Sequence, residues 1–294
     1  MEPAGQSARR AVIVISSHVA RGSVGNRAAV FALEALGFPV WAVPTVILPW
    51  HPGHGPATRI VPQAEQFSAL MRDLETAPWL DEVGAVMSGY LGEPRQAEAV
   101  ASLVRVVKAR NAGALYLCDP VMGDSGGLYV PQATAEAMRD LLVPLADIAT
   151  PNRFELEWLT GAALADNAST ARAALSLGPE TVLVTSAQAM MAGSIGNLLV
   201  TPREVVLAEH RAVEGSPNGT GDLAAALFLA RLMEGRGAER ALKAATAAVF
   251  EVVARAVKRG ADELMLQTDA DSLVHPMAMV QTRRLIHPSG GRRA

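Results

Sequence analysis

Between Asn218 and Asp222 the chain reads Asn-Gly-Thr-Gly-Asp, and the apolar run LAAALFLA follows at once. Glycines at 219 and 221 open backbone conformations closed to other residues and let an anion approach the main chain. At the start of a helix, successive N–H groups from Gly219 to Asp222 would point at that anion, helped by the helix dipole. Asp222, in the first turn, could then take a proton from a hydroxyl lying beside a phosphate. The plainer alternative is a helix capped by Asn218 or Thr220 and favoured electrostatically by Asp222. The apolar run weighs against it, because a terminus anchored deep in a core leaves its carboxylate short of water.

Other polar stretches sit where a strand gives way to loop. In CDPVMGD, Asp119 and Asp124 can bind Mg²⁺ through oxygen and water, as phosphoryl transfer requires, or can cap their own turn. The continuation DSGGLYV reads as a flap. Thr150, Asn152 and Glu155 fall close together in TPNRFELEWLTG. Asn152 followed by Glu155 resembles a capping box, and the functional alternative makes Glu155 a second carboxylate near metal and Asn152 a phosphate contact. His51 and His54, in WHPGHGP, lack the companions zinc needs and read as a surface or substrate-contacting loop; His18 reads as structural. There is no GxxxxGK[ST], no HRD with DFG and no intact GxGxxG after a strand, so any ATP is held by another design.

Positioning these groups falls to short β-branched runs that alternate with longer alanine- and leucine-rich ones. The strand-like runs are AVIVIS (11 to 16), PVWAVPTVIL (39 to 48), GAVMSG (84 to 89), ALYLCDPV (114 to 121), DIATPN (147 to 152), TVLVTS (181 to 186) and GNLLVTP (196 to 202). Helical segments are expected over 26 to 36, 93 to 111, 131 to 146, 154 to 161, 168 to 178 and from 219 onward. Such alternation predicts a mainly parallel sheet in an α/β sandwich, with TVLVTS and GNLLVT as an antiparallel addition near one edge. In open α/β sheets ligands bind outside the carboxyl ends of the strands, where SSHVARGSVGN, SGYLGEP, CDPVMGDSGG, TPNRFELE and VTSAQ all lie.

A chain of 294 residues, half of them apolar, fits one domain over residues 11 to 286, with 1 to 10 and 287 to 294 as loose ends. A net charge of −3 provides no basic field for nucleic acid or anionic lipid, which leaves a small molecule as the partner. Cys118 is the only cysteine, which excludes an internal disulfide and fits a cytoplasmic setting. The apolar stretch AVIVISS is too short for a signal peptide or a membrane span.

In this order, SSHVARGSVGNRAAVFALEALGF, SGYLG, CDPVMGD, TPNRFELEWLTG and GTGD resemble the pyridoxal kinase family of the ribokinase-like superfamily. GTGD marks the superfamily; SHV followed by VGN points to pyridoxal kinase. The resemblance implies an α/β, ribokinase-like three-layer sandwich with a central mostly parallel sheet flanked by helices, forming a cytoplasmic homodimer. It implies transfer of the γ-phosphoryl of ATP to the 5′-hydroxyl of pyridoxal, or of pyridoxine or pyridoxamine, in vitamin B6 salvage. By match to the family motifs, Asp222 is the base and Gly219, Thr220 and Gly221 form the anion hole. Asp124 and Glu155 hold Mg²⁺ largely through water, and Asp119 and Thr150 border a site for K⁺ or Na⁺. Asp119, Tyr129, Thr150, Asn152, Glu155, Thr185 and Thr220 face ATP, with Tyr129 in the flap. Ser17, Val24, His51 and Tyr90, with Asp222, face the acceptor alcohol.

Two positions depart from the family pattern: Ser16 stands where glutamine is common, and Trp50-His51-Pro52 replaces Asn-His-Thr, removing a hydroxyl. Two other readings stay open. One is a hydroxymethylpyrimidine-type or other small-alcohol kinase of the same superfamily, although in the pyrimidine branch cysteine commonly replaces the acid of GTGD. The other is a non-catalytic protein that binds pyridoxal or its phosphate.

Overall fold

The computed structural model describes residues 9 to 288, so most of both expected loose ends lies outside the described residues. Within those ends, Arg9 lies over the Phe38 ring at 4.7 Å and bonds the Leu36 carbonyl, and His287 meets the Thr201 carbonyl at 3.0 Å.

In chain order the strands are β1 (Ala11–Val19), β2 (Val40–Leu48), β3 (Val83–Ser88), β4 (Leu115–Cys118), β5 (Gly123–Asp124), β6 (Gly127–Leu128), β7 (Ile148–Ala149), β8 (Thr181–Ala187), β9 (Ser194–Val200), β10 (Val205–Arg211) and β11 (Gln281–Leu285). The helices are α1 (Asn26–Ala35), α2 (Ala64–Glu75), α3 (Arg95–Arg110), α4 (Gln132–Ala137), α5 (Arg153–Thr160), α6 (Asn167–Ser176), α7 (Thr220–Met233), α8 (Ala238–Lys258) and α9 (Ala270–Val274). A nine-stranded sheet runs β11-β10-β9-β8-β7-β4-β3-β1-β2, and β5 with β6 forms a separate hairpin, the flap. Pairing is parallel from β2 to β8 and antiparallel from β8 to β11.

Strand alternation shows why the sheet needs helices on both sides. In β1, Val12 and Val14 join a core with α1, α7 and α8, whereas Ala11, Ile13 and Ile15 join one with α2 and α3. Farther along, Val182 and Val184 of β8 pack with α5 and α6, while Leu183 belongs to the α7 and α8 side. The result is the three-layer sandwich expected from the sequence.

One expected helix is broken. Residues 131 to 146 form α4, then a π-helical turn (Met138–Leu142), then a 3₁₀ turn (Val143–Leu145). Pro144 has no N–H to continue the ladder and its ring clashes with the carbonyl of the preceding turn. The edge strand β11, QTRRL, has no apolar alternation to announce it and exposes two arginines, which discourages pairing with another edge.

The helix after GTGD is buried from Leu223 to Arg231, because α1 and α8 pack on α7 while the sheet closes it from below. Alanines at 224, 225, 226 and 230 let those neighbours approach closely. Phe228→Ala should therefore lower the unfolding free energy by about 3–5 kcal/mol. Leu70→Ala, at a 43% exposed position of α2, should change it by no more than about 0.5 kcal/mol in the same urea titration.

Candidate functional site

The parallel strands deliver polar residues to one rim: Ser17 within β1, His51 after β2, Tyr90 after β3, Asp119 after β4, Thr150 after β7 and Thr185 in β8. A cleft of about 690 Å³ runs along this rim. Every site candidate from the sequence lines it: Ser17, Val24, His51, Tyr90, Asp119, Asp124, Tyr129, Thr150, Asn152, Glu155, Thr185, Gly219, Thr220, Gly221 and Asp222.

At the start of α7, Gly219 has φ +90°, and a Cβ there would lie 2.1 Å from the Ser23 carbonyl oxygen. Only glycine lets this turn press against the loop after β1. Gly25, at the start of α1 with φ +55°, is constrained likewise: a Cβ would lie 2.2 Å from Ser17 Oγ. Its amide, with that of Asp222 itself, favours the charged form of the Asp222 carboxylate. Burial outweighs both and pushes Asp222 up to about 6. The two helix amino ends thus meet at this carboxylate. The N-cap of α7 is Gly219 with no side-chain cap, so the cap expected of Asn218 or Thr220 does not form, while Asp222 does stand in the first turn as the plain alternative also had it.

Glu155 is 3% exposed and fully engaged by backbone. One oxygen accepts from the amides of Met122 (3.0 Å) and Gly123 (3.4 Å), the other from the amide of Asn152 (2.8 Å). Asn152 Oδ1 accepts the Glu155 amide at 2.9 Å, completing the capping box, and Asn152 Nδ2 donates to the Gly123 carbonyl at 2.8 Å. The pair therefore ties the flap loop to α5. Burial raises the Glu155 carboxyl to about 7 against those hydrogen bonds, with Asp222 adding repulsion.

Asp119 is buried and accepts from Thr150 Oγ1 at 2.9 Å through one oxygen, while its Oδ2 has no partner. Burial, then the charges of Glu155 and Asp222, drive its carboxyl well above the usual range. An orphaned carboxylate oxygen in such a place fits a cation. Asp124, exposed at the flap, accepts the Gly126 amide at 2.8 Å, so it does cap its own turn while one oxygen stays available. Among the described residues no three His, Cys, Asp or Glu side chains converge on one point.

On the β1, β2 and β3 side, His51 caps a 3₁₀ turn (Pro52–His54) by accepting the Gly53 amide on Nδ1 at 3.1 Å. Burial lowers its pKa, leaving Nε2 as the ring N–H for a ligand. Pro52 occupies the first position of that turn, where its missing N–H costs nothing. Ser16, buried, accepts the Tyr90 amide at 3.1 Å and so positions a cleft wall. His18, half-buried in β1, has its pKa lowered mainly by burial, in keeping with a structural role.

Several lining or supporting residues had no sequence signal. Arg59 lines the cleft beside Tyr90. Glu263 accepts from the Ser23 amide at 3.3 Å and contacts His54 Nε2 at 2.9 Å, joining the loops after β1 and β2. Ile195, His210, Val213 and Phe250 make a mostly apolar wall at the β9–β10 side, where the His210 and Phe250 ring centroids lie 4.7 Å apart. Ser186, with φ +53°, also lines the cleft; a left-handed conformation in a residue other than glycine marks local strain at the site.

Residues 59 to 267 match the family described as phosphomethylpyrimidine kinase. The chain is 41% identical to the pyridoxal kinase PdxY of Rubrobacter xylanophilus, with 93% of this chain and 97% of that one covered. It is 34% identical to the PdxY of Corynebacterium diphtheriae, over 93% and 99%. Among solved structures it is similar to the pyridoxal kinase of Leishmania donovani in complex with ADP and pyridoxamine, with TM-score 0.88, 30% identity and coverage of 94% of this chain and 100% of that one.

The two glycines of the turn should respond differently to a methyl group. Gly219→Ala meets backbone and should destabilise the fold by about 1–3 kcal/mol. Gly221 has open space where its Cβ would stand, so Gly221→Ala should leave the melting temperature unchanged or slightly raised. Thermal denaturation of both variants checks the contrast.

Proposed function

The chain belongs to the pyridoxal kinase family of ribokinase-like enzymes, and from that membership we propose that it transfers the γ-phosphoryl of ATP to the 5′-hydroxyl of pyridoxal, and of pyridoxine or pyridoxamine. The observation that carries the site assignment is the Asp222 carboxylate, pushed up to about 6 at the amino end of α7 beside the Gly219 turn. A base with that proton affinity is charged at neutral pH yet still able to take a proton.

In this reading the acceptor ring lies among Ser17, Val24, His51 and Tyr90, and the nucleotide base lies against the wall of Ile195, Val213 and Phe250. The alcohol oxygen attacks the γ-phosphorus as Asp222 takes its proton, and the bond from that phosphorus to the ADP oxygen breaks. Amides of Gly219, Thr220 and Gly221 donate to the transferring oxygens, where the helix dipole adds to their effect. Asn152, Thr185 and Thr220 orient the phosphates, and Tyr129 in the flap covers them. Asp124, and Glu155 through water, would hold Mg²⁺, whose contribution is to neutralise phosphate charge. The free Oδ2 of Asp119, with Thr150, would hold K⁺ or Na⁺.

We extend the proposal to a single kinase domain over residues 11 to 286, working as a cytoplasmic homodimer. Among the described residues no helix is long and apolar enough to cross a membrane. A second reading, phosphorylation of a hydroxymethylpyrimidine, is favoured by the family match at 59 to 267. Asp222 weighs against it, since cysteine commonly stands at that place in the pyrimidine branch. Parallel assays with the pyridine and pyrimidine alcohols separate the two, and exclusive turnover of the pyrimidine would overturn the first.

Asp222→Asn should fold normally and lose on the order of 10²–10⁴ in kcat. In the unaltered enzyme kcat/KM for the alcohol should rise with pH through about 6 and then level off, because the base works only when deprotonated. Near-normal turnover by the variant would refute the assignment.

Linkage gives a companion test. A carboxyl whose pKa is raised by folding binds more protons in the native state, so its stability contribution falls as pH rises through about 6. The ligand-free Asp222→Asn protein should therefore melt a few degrees above the unaltered one at pH 8, with the gap closing near pH 4.

A further inference from the structure

We infer that Arg59 is a specificity-determining residue that disfavours acceptor alcohols carrying their own positive charge. This rests on the pyridoxal kinase reading above. Arg59 is the one lysine or arginine among the residues lining the cleft, whose acidic side chains are Asp119, Asp124, Glu155 and Asp222. A triphosphate site would draw a guanidinium to the nucleotide side, yet this one is anchored on the acceptor side. Its Nη2 donates to the Gly92 carbonyl at 2.6 Å and to Tyr90 Oη at 3.3 Å, both just beyond β3. The adjacent Ile60 pairs with Ile47 of β2, which pins the backbone that carries it.

Both anchors are neutral, so they fix the guanidinium without cancelling its charge, and the remaining N–H donors are left for a ligand. A phenolic oxygen, an aldehyde or a hydroxyl on a pyridine ring can accept from such a donor. An aminomethyl substituent is an ammonium at neutral pH and meets a like charge. At a separation of a few ångströms in a half-wet cleft, that repulsion is worth on the order of tenfold in preference. Because Arg59 is exposed, salt should screen it.

The test compares kcat/KM for pyridoxal, pyridoxine and pyridoxamine in the unaltered enzyme, Arg59→Ala and Arg59→Lys, with the KM for ATP as control. Arg59→Ala should raise the pyridoxamine-to-pyridoxal ratio about tenfold, chiefly through the acceptor KM. Arg59→Lys, which keeps the charge, should stay near the unaltered ratio, and high salt should move the unaltered enzyme toward the alanine variant. A ratio in Arg59→Ala within about twofold of the original, or an equal loss on all three alcohols as a purely structural role would give, overturns the inference while leaving the kinase reading intact. An unaltered enzyme that phosphorylates none of the three overturns both.

Discussion

Crowding of negative charge is the constraint on which the rest of this site depends. Asp119, Glu155 and Asp222 line one cleft, and each of the first two is pushed toward its protonated form by burial and by the charge of others in the group. The fold answers with dipoles rather than with fixed cations: backbone amides for Glu155, the Thr150 hydroxyl for Asp119, the Gly25 amide for Asp222. A lysine or arginine paired with Asp222 would hold its proton affinity down and make it a poorer base. Under the proposed function, the excess charge left unmatched would suit cations that arrive with a nucleotide.

That solution requires backbone to stand very close to backbone, which explains the placement of glycine. Gly219 presses on the Ser23 carbonyl and Gly25 on Ser17, so the amino ends of α1 and α7 meet around one carboxylate. Helix α7 holds this junction still because it is buried along its apolar run. The loop that Gly25 ends is fixed from outside by Glu263, whose carboxylate reaches Ser23 and His54 together. A substitution at 263 would thus disturb the acceptor loops and the surroundings of the base at once, although no atom of that residue lines the cleft.

Legibility in the sequence followed the range of the interactions. The turn at Gly219 and the capping box at Asn152 and Glu155 are local, so their residue types betray them. The parallel strands were visible because burial on both faces leaves a β-branched run. Strand β11 was not, since its side chains are exposed and its place is set by pairing with β10. Arg59 meets partners 31 and 33 residues away, and Glu263 meets Ser23 across 240, so neither contact leaves a pattern along the chain. The break in the helix over 131 to 146 has a local cause at Pro144, which stands inside an otherwise helix-like run.

The departures at Ser16 and Pro52 look different once their neighbours are known. Ser16 holds the Tyr90 amide, and Gly89 packs so closely that a Cβ there would lie 2.5 Å from the serine oxygen; a longer side chain at 16 would need that wall to move. Pro52 fixes the first residue of the turn that His51 caps, so the loss of a hydroxyl is accompanied by a stiffer presentation of the histidine. Arg59 reaches the same wall from the next loop segment through Tyr90 Oη. These three positions act on two cleft walls, Tyr90 and His51, whereas the Gly219 turn and the acid cluster lie in the stretches that resemble the family motifs. Under the proposed function, Ser16, Pro52 and Arg59 would tune the acceptor side through the loops after β1, β2 and β3, whereas Glu263 and the close contact of Gly219 with Ser23 couple that side to the base.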